Sequence, residues 1–505
     1  MTASSTHCHL NLWTQSLDAT SHNPAIFQKG QREPLKLEKE FHNQAERKAT
    51  QSQRKSKIWL ASLAILPYVS YLGLLIMLGL WIGALLQRGG QVWRLCMQRG
   101  FGWLAAGLLL SSCFAWDRGE SFLQLVNFLP FFIFFGVLAT VPAVIAQPVR
   151  TLETLARWLV VTAMPMTALA VVEYGLKFES IIPHIQALPL PNWLLTWLYG
   201  EDFGHRAHSI FGHPNGLSAY LVIVLGLGLG LIVKGLGDRK PDKSSYQASA
   251  ALTLSAKTLN SELNTKPNTK HNTNALNASD LSSTPQTPAQ KITQVVAVAL
   301  TLAAIFCTGS RNGVLIAWVL MAITLYASRK HRGVLIAGLM GSGAIAAAVL
   351  SLGIGGRAIS LALITQDPRI GVWQLAIEMI QQKPWLGWGF AAMRLRYVPG
   401  SIPDYDIIYH AHNVWLYLAS EAGIPIMLGF CVVIGTLYYD GIKAFIQGGL
   451  TRAHRAILLS YLLAFTSCLL FGLFDVTLFD SRLNILSYGL LSGIYILSRA
   501  QPKTD

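Results

Sequence analysis

The chain has 505 residues, of which 52% are apolar and only 13% charged, and its 40 basic against 25 acidic residues give a net charge of +15. In a soluble protein such charge would point to nucleic acid, but here the basic residues lie largely between apolar runs near the roughly 20 residues that a helix needs to cross a bilayer. The runs lack the alternation of barrel strands, and open sheet edges cannot stay unpaired in hydrocarbon, so no nucleic-acid partner is expected and an all-α polytopic membrane protein remains.

In chain order, residues 1–57 are polar and mix nine Lys and Arg residues with five acids, which predicts a disordered cytoplasmic tail without a cleavable signal. Ile58–Leu86 fits either one long span or a hairpin hinged near Pro67–Tyr71. Loop charge decides between them: the basic connections Arg88–Arg99, Arg150–Arg157, Arg329–Arg332 and Lys443–Arg455 all become cytoplasmic if the intervening spans alternate. A tight hairpin then keeps the basic tail on the same side, giving about 12 transmembrane helices with both termini in the cytoplasm. The other spans are expected near 101–116, 122–146, 158–176, 216–237, 293–310, 311–328, 334–356, 413–439, 456–475 and 484–498. The domain boundaries follow: N-terminal helices over 58–237, a Ser/Thr/Asn/Lys-rich disordered cytoplasmic insertion over 238–292, central helices over 293–356, an outer loop over 357–412, and C-terminal helices and tail over 413–505. Six scattered cysteines without Cys-x-x-Cys spacing read as small apolar fillers.

Two outer segments are too long to be mere turns. Lys177–Asn215 ends in Gly204-His205-Arg206-Ala207-His208-Ser209-Ile210-Phe211-Gly212-His213-Pro214-Asn215. Arg357–Asn413 contains a predicted helix with Asp367 as N-cap, Pro368 at its first position, and Ile370, Trp373, Ile377 and Ile380 on one face until Pro384 stops it. A third, shorter feature is Thr308-Gly309-Ser310-Arg311-Asn312, where an arginine at a membrane boundary is costly unless paired or facing water. Glu173 at a span end suits either a proton-relay or a packing role. The outer face thus gathers Arg206, Arg311, Arg357, Arg369, Arg394 and Arg396 with the histidines of Tyr409-His410-Ala411-His412-Asn413. Guanidinium grips phosphate oxygens bidentately and histidine exchanges a proton near neutral pH, a combination suited to a lipid diphosphate donor and an acceptor hydroxyl. His410 and His412 with Asp404 or Asp406 are also a conceivable metal set, which the neighbouring arginines disfavour.

From about residue 200 to 440 the chain resembles the O-antigen ligase and polymerase superfamily of envelope glycosyltransferases. The residues that carry the resemblance are Arg311-x3-Leu315, His412-x10-Gly423, Asp367-Pro368-Arg369 through Trp373 to Lys383-Pro384-Trp385-Leu386-Gly387-Trp388-Gly389, and Pro214-Asn215 after Arg206. The resemblance implies a GT-C-like bundle in the bacterial inner membrane, with its active site on the periplasmic side within a long loop carrying short helices. It implies inverting transfer, with no metal and no cofactor, from an undecaprenyl-diphosphate-linked glycan to a lipid, glycan or protein acceptor. His412 would be the general base, Arg311 the diphosphate ligand assisted by Arg206 and Arg369, and His410, Asn413 and Asn215 supporting residues. The two short motifs favour a ligase over a polymerase. A transporter or accessory protein for inorganic carbon, to which members in photosynthetic bacteria have been linked, is the alternative from another class; it predicts paired mid-membrane charges and repeated halves, which the sequence lacks.

Overall fold

The structure is a computed structural model and describes residues 58–237, 286–354 and 367–500, apart from positions 59, 60, 64, 201, 202, 330, 331 and 404. The expected tail over 1–57, nearly all of the expected insertion and the first ten residues of the expected outer loop, Arg357 included, lie outside the described residues. The longer helices are α1 (Ser70–Gln98), α2 (Phe101–Cys113), α3 (Arg118–Gln124), α4 (Leu129–Ala139), α5 (Pro148–Thr162), α6 (Met164–Leu176), α7 (Pro214–Gly237), α8 (Pro288–Cys307), α9 (Arg311–Ala327), α10 (Arg332–Leu352), α11 (Arg369–Gln382), α12 (Val414–Glu421), α13 (Ile424–Gln447), α14 (Arg452–Phe471) and α15 (Ser481–Arg499). Among the described residues, seven helical stretches are long and apolar enough to cross a membrane, counting α3–α4 and α5–α6 as continuous stretches, and three shorter helices are also apolar. The chain is therefore an all-helical, polytopic bundle with the composition of an integral membrane protein.

The bundle is organised on α7, the most buried of its long helices. Alternating glycine and leucine over Leu225–Leu231 let α14 and α8 approach its backbone. A Cβ on Gly226 would stand 2.6 Å from the Ala464 Cα, one on Gly230 2.4 Å from the Ser460 Cα, and one on Gly228 2.5 Å from a Val298 methyl. Small residues four apart are how helices approach closely where the surrounding lipid is as apolar as the side chains. Near the other end of α7, Lys234 pairs with Glu153 of α5 at 2.7 Å, and Arg157 adds a second contact to the same carboxylate at 2.5 Å.

Several boundaries differ from the sequence reading: the span expected at 158–176 begins at Pro148, the one expected at 122–146 is interrupted after Ala139, and four further differences bear on the hinge, the insertion and the helix ends described below. The chain turns at Leu66–Val69, where the hinge was expected, but the following helix does not stop at Leu86; α1 runs to Gln98, bent at Arg88 (φ −140°, ψ 20°), whose guanidinium bonds the Thr140 carbonyl. The expected insertion ends before Ile292, because Thr287 and Gln290 form a reciprocal capping box that starts α8 at Pro288. The expected span 413–439 is broken at Gly423 into the eight-residue α12 and a separate α13. The expected span 456–475 ends at Phe471, which leaves Gly472–Asp480 as a connection containing the short 3-10 helix Thr477–Phe479 before α15.

This arrangement places one set of helix ends together. The start of α7, the end of α14 and the start of α15 line a common cavity, and the residues just beyond α8 touch its wall. Gly237, after which the undescribed segment begins, is at the far end of α7, roughly 33 Å away by helical rise.

Gly230→Ala should force α7 and α14 apart. At an overpacking cost of about 1–3 kcal/mol, the thermal midpoint in detergent should fall by several degrees; an unchanged midpoint would contradict the close approach.

Candidate functional site

The site begins with the polar entry to α12. His412 takes a left-handed conformation (φ 47°), which few non-glycine residues adopt, and Asn413 returns to extended backbone to cap the helix. The Asn413 Oδ1 accepts the N–H groups of Trp415 and Leu416 at 2.9 and 3.1 Å, while its Nδ2 donates to the Leu473 carbonyl at 3.1 Å. Next to it the Val414 N–H donates to the Gly472 carbonyl at 2.8 Å. These bonds fasten the histidine segment to the connection after α14 and bring Asp475 Oδ1 to 3.3 Å from His412 Nδ1. His410 accepts the His412 backbone N–H on Nδ1 at 3.3 Å, and its ring stacks on Phe479 with centroids 5.3 Å apart.

At its other end α12 is locked by the segment after α11. The Trp388 and Gly389 N–H groups donate to the Ser420 and Glu421 carbonyls, the Ile424 N–H donates to Pro384, and the buried Glu421 carboxylate accepts from the N–H groups of Ala391 and Met393 at 2.8 and 3.0 Å. Gly387 (φ 65°) and Gly423 (φ 97°) sit in this crossing, where a Cβ on either would stand 2.3 Å from a carbonyl oxygen of the opposite strand of chain. The glycine of His412-x10-Gly423 thus fixes where α12 ends and does not touch the cavity.

The cavity is about 910 Å³ and brings together Arg206, Asn215, Arg369, His410 and His412 from the sequence-derived set. Arg206 is buried; its Nε donates to the Thr308 carbonyl at 2.9 Å and its NH2 to Asn215 Oδ1 at 2.7 Å. Its loop is held from behind by Glu173, which accepts Lys177 Nζ at 2.8 Å and the Ser209 N–H at 2.7 Å and has no exposed surface, so the packing role applies to this carboxylate. Arg369 begins α11, and Asp367 Oδ1 accepts its N–H at 3.0 Å. Asn413 braces the cavity wall without lining it. Arg311 starts α9 behind the capping Ser310 and is not among the lining residues; Thr308, three positions earlier, is what meets Arg206. Arg394 is exposed, and Arg396 lies 3.7 Å over the Trp388 ring, both away from the lining.

Sequence reasoning missed Asp475, Tyr405, Asp480 and Arg482, and gave His213 only a loop role, yet all five line the cavity. The signal was present in Phe474-Asp475-Val476 through Asp480-Ser481-Arg482, charged residues at the boundary of apolar runs, the same rule that singled out Arg311.

Burial pushes the Asp475 carboxyl up, but the hydrogen bond from His412 and the charges of His410, His412 and Arg369 outweigh it and hold the group well below the usual carboxylate range. An ionised carboxylate only accepts, so the proton on a neutral His412 ring sits on Nδ1 and leaves Nε2 with its lone pair. Burial, aided by His412 and Arg369, pushes His410 down to about 4; burial and Arg206 push His213 down to about 4 as well. Both rings are neutral at neutral pH. His410, His412 and Asp475 each offer one ligand atom within 4.8 Å of the others, so the third member of a metal set would be Asp475; Asp404 lies outside the described residues and Asp406 is exposed. Such an ion would find one nitrogen of each histidine already engaged and the Arg369 charge close by.

Residues 296–431 match the family model described as O-antigen ligase. That bears out the resemblance drawn from Arg311-x3-Leu315 and His412-x10-Gly423. The matched stretch contains Arg311, Arg369, His410, His412 and Asn413, and leaves Arg206, Asn215 and Asp475 outside it. No curated protein matches the chain.

The two depressed histidines predict acid lability. From pH 6.5 down to about 4 the unfolded chain binds protons that folded His410 and His213 do not, so stability falls with pH in that window; the Asp475 contribution, present above 3.8, is lost only below it. His410→Gln should lose less of its thermal midpoint across that window than the wild type. Parallel curves would contradict the assignment.

Proposed function

We propose that this chain is an O-antigen ligase-type glycosyltransferase of the bacterial inner membrane, moving a glycan from an undecaprenyl-diphosphate donor to an acceptor hydroxyl. The observation that carries this reading is the His412–Asp475 pair facing a cavity that also holds Arg206 and Arg369. His412 Nε2 takes the proton of the acceptor hydroxyl, whose oxygen attacks the anomeric carbon from the face opposite the diphosphate. The bond from that carbon to the diphosphate oxygen breaks, and undecaprenyl diphosphate leaves with the electron pair. Asp475 stabilises the imidazolium formed, and Arg206 and Arg369 balance the charge on the leaving group. The transfer inverts the anomeric carbon and needs no metal.

Arg311, three positions after the Thr308 whose carbonyl holds Arg206, keeps the diphosphate role that the family pattern assigns it. The description of the matched family and the two motifs support ligase over polymerase. In this reading the GT-C-like bundle spans the membrane about 12 times, the cavity end is periplasmic, and both termini are cytoplasmic, on the side of the basic segments Arg88–Arg99, Arg150–Arg157, Arg329–Arg332 and Lys443–Arg455.

A positioned base typically contributes about a hundredfold to ten-thousandfold. Purified His412→Ala should therefore lose at least about a hundredfold of the transfer from lipid-linked oligosaccharide, while still folding and inserting into the membrane, and wild-type activity should be indifferent to excess chelator. Retained transfer in the variant removes His412 from the mechanism, and chelator-sensitive transfer replaces the base with a metal.

A further inference from the structure

Arg482 differs from the other arginines of the cavity. Its Nε lies 3.0 and 3.2 Å from the two Asp480 oxygens, its NH2 donates to Asp480 Oδ2 at 2.6 Å, and its guanidinium carbon rests 3.8 Å over the Phe211 ring. The pair is partly exposed on the cavity wall, and Asp480 also accepts the Arg482 backbone N–H at 2.9 Å. Backbone cap, bidentate ion pair and aromatic support therefore fix one planar group in a single orientation. Arg206 reaches the same cavity from another element, where it bonds the Thr308 carbonyl and the Asn215 amide.

The fixed geometry of the Asp480–Arg482 pair selects the ligand. A guanidinium already matched to a carboxylate offers little net charge to a diphosphate, but together the two groups present donors and acceptors side by side in a rigid plane. Vicinal hydroxyls of a sugar need such an array, with an apolar face for the ring's C–H groups. Beside the pair, Phe479 is 39% exposed and its ring is held by stacking on His410. The cavity, at about 910 Å³, is larger than a diphosphate alone requires and lies near the upper end of small-ligand sites.

We propose that Asp480 and Arg482, with the Phe479 ring, form a sugar-recognising subsite that takes a pyranose unit of the donor or acceptor glycan while Arg206 and Arg369 hold the diphosphate. The proposal rests on the glycan-transfer reading and adds the residues that recognise the sugar.

The test uses the full chain in nanodiscs with three probes: lipid-linked oligosaccharide, the same polyprenyl diphosphate without sugar, and free acceptor oligosaccharide. Asp480→Asn keeps a helix-capping side chain, Arg482→Gln removes the fork, and Phe479→Ala leaves the cap untouched. Each should bind one sugar-bearing probe about tenfold more weakly, the loss expected of a charge-assisted hydrogen bond or a stacked ring, while binding the bare diphosphate as the wild type does. Loss on the lipid-linked probe assigns the subsite to the donor; loss on the free oligosaccharide assigns it to the acceptor. Unchanged binding of both, or an equal loss for the bare diphosphate, overturns the proposal. A wild type that binds sugar through this pair yet transfers nothing sinks the transfer reading alone.

Discussion

Three hydrogen bonds between residues 412–414 and the connection after α14 hold the cavity end together. Val414 bonds Gly472, Asn413 bonds Leu473, and His412 bonds Asp475. They offset the cost, of order 1–3 kcal/mol, of a left-handed conformation at His412. They also tie the imidazole to α14, which lies against the glycines of α7, and the first turn of α7 carries the Asn215 that holds Arg206. His412 and Arg206 are therefore both referenced to one helix–helix contact in the middle of the bundle.

The electrostatics follow from that geometry. One carboxylate, Asp475, stays ionised among His410, His412 and Arg369, and it directs the proton of a neutral His412 ring to Nδ1. His410 and His213 remain neutral at neutral pH, and the guanidinium groups of the cavity keep their charge across the physiological range. A second carboxylate, Asp480, compensates one of those groups. That pair presents matched donors and acceptors on the cavity wall.

Local features were legible in the sequence. The turn at Leu66–Val69 falls where Pro67 placed it, whereas α11 starts one residue later than expected: its N-cap is Pro368 rather than Asp367, and Asp367 accepts the Arg369 N–H from the position before the cap. The face of α11 was misread: Val372, Ala376 and Met379 are buried against the bundle, while Ile377 is exposed, because packing against α12 and not bulk alone chose the stripe. The capping box at Thr287 and Gln290 was readable and would have ended the insertion correctly. Hydropathy could not separate α12 from α13, since the break is made by a positive φ at Gly423 inside an apolar run. The pairing of Asp475 with His412 was beyond reach for a different reason: the two meet across 63 positions, and pairing over that distance is a property of the packed bundle.

The pH dependence of glycan transfer by purified wild type and Asp475→Asn bears most directly on the pairing of His412 with Asp475 in a base. Removing the carboxylate charge beside the ring makes its protonated form less favourable. The acid limb of the Asp475→Asn profile should therefore move to lower pH, with a reduced plateau rate as the fixed tautomer is lost. Superimposable profiles, or absence of transfer by the wild type at every pH, would contradict the account.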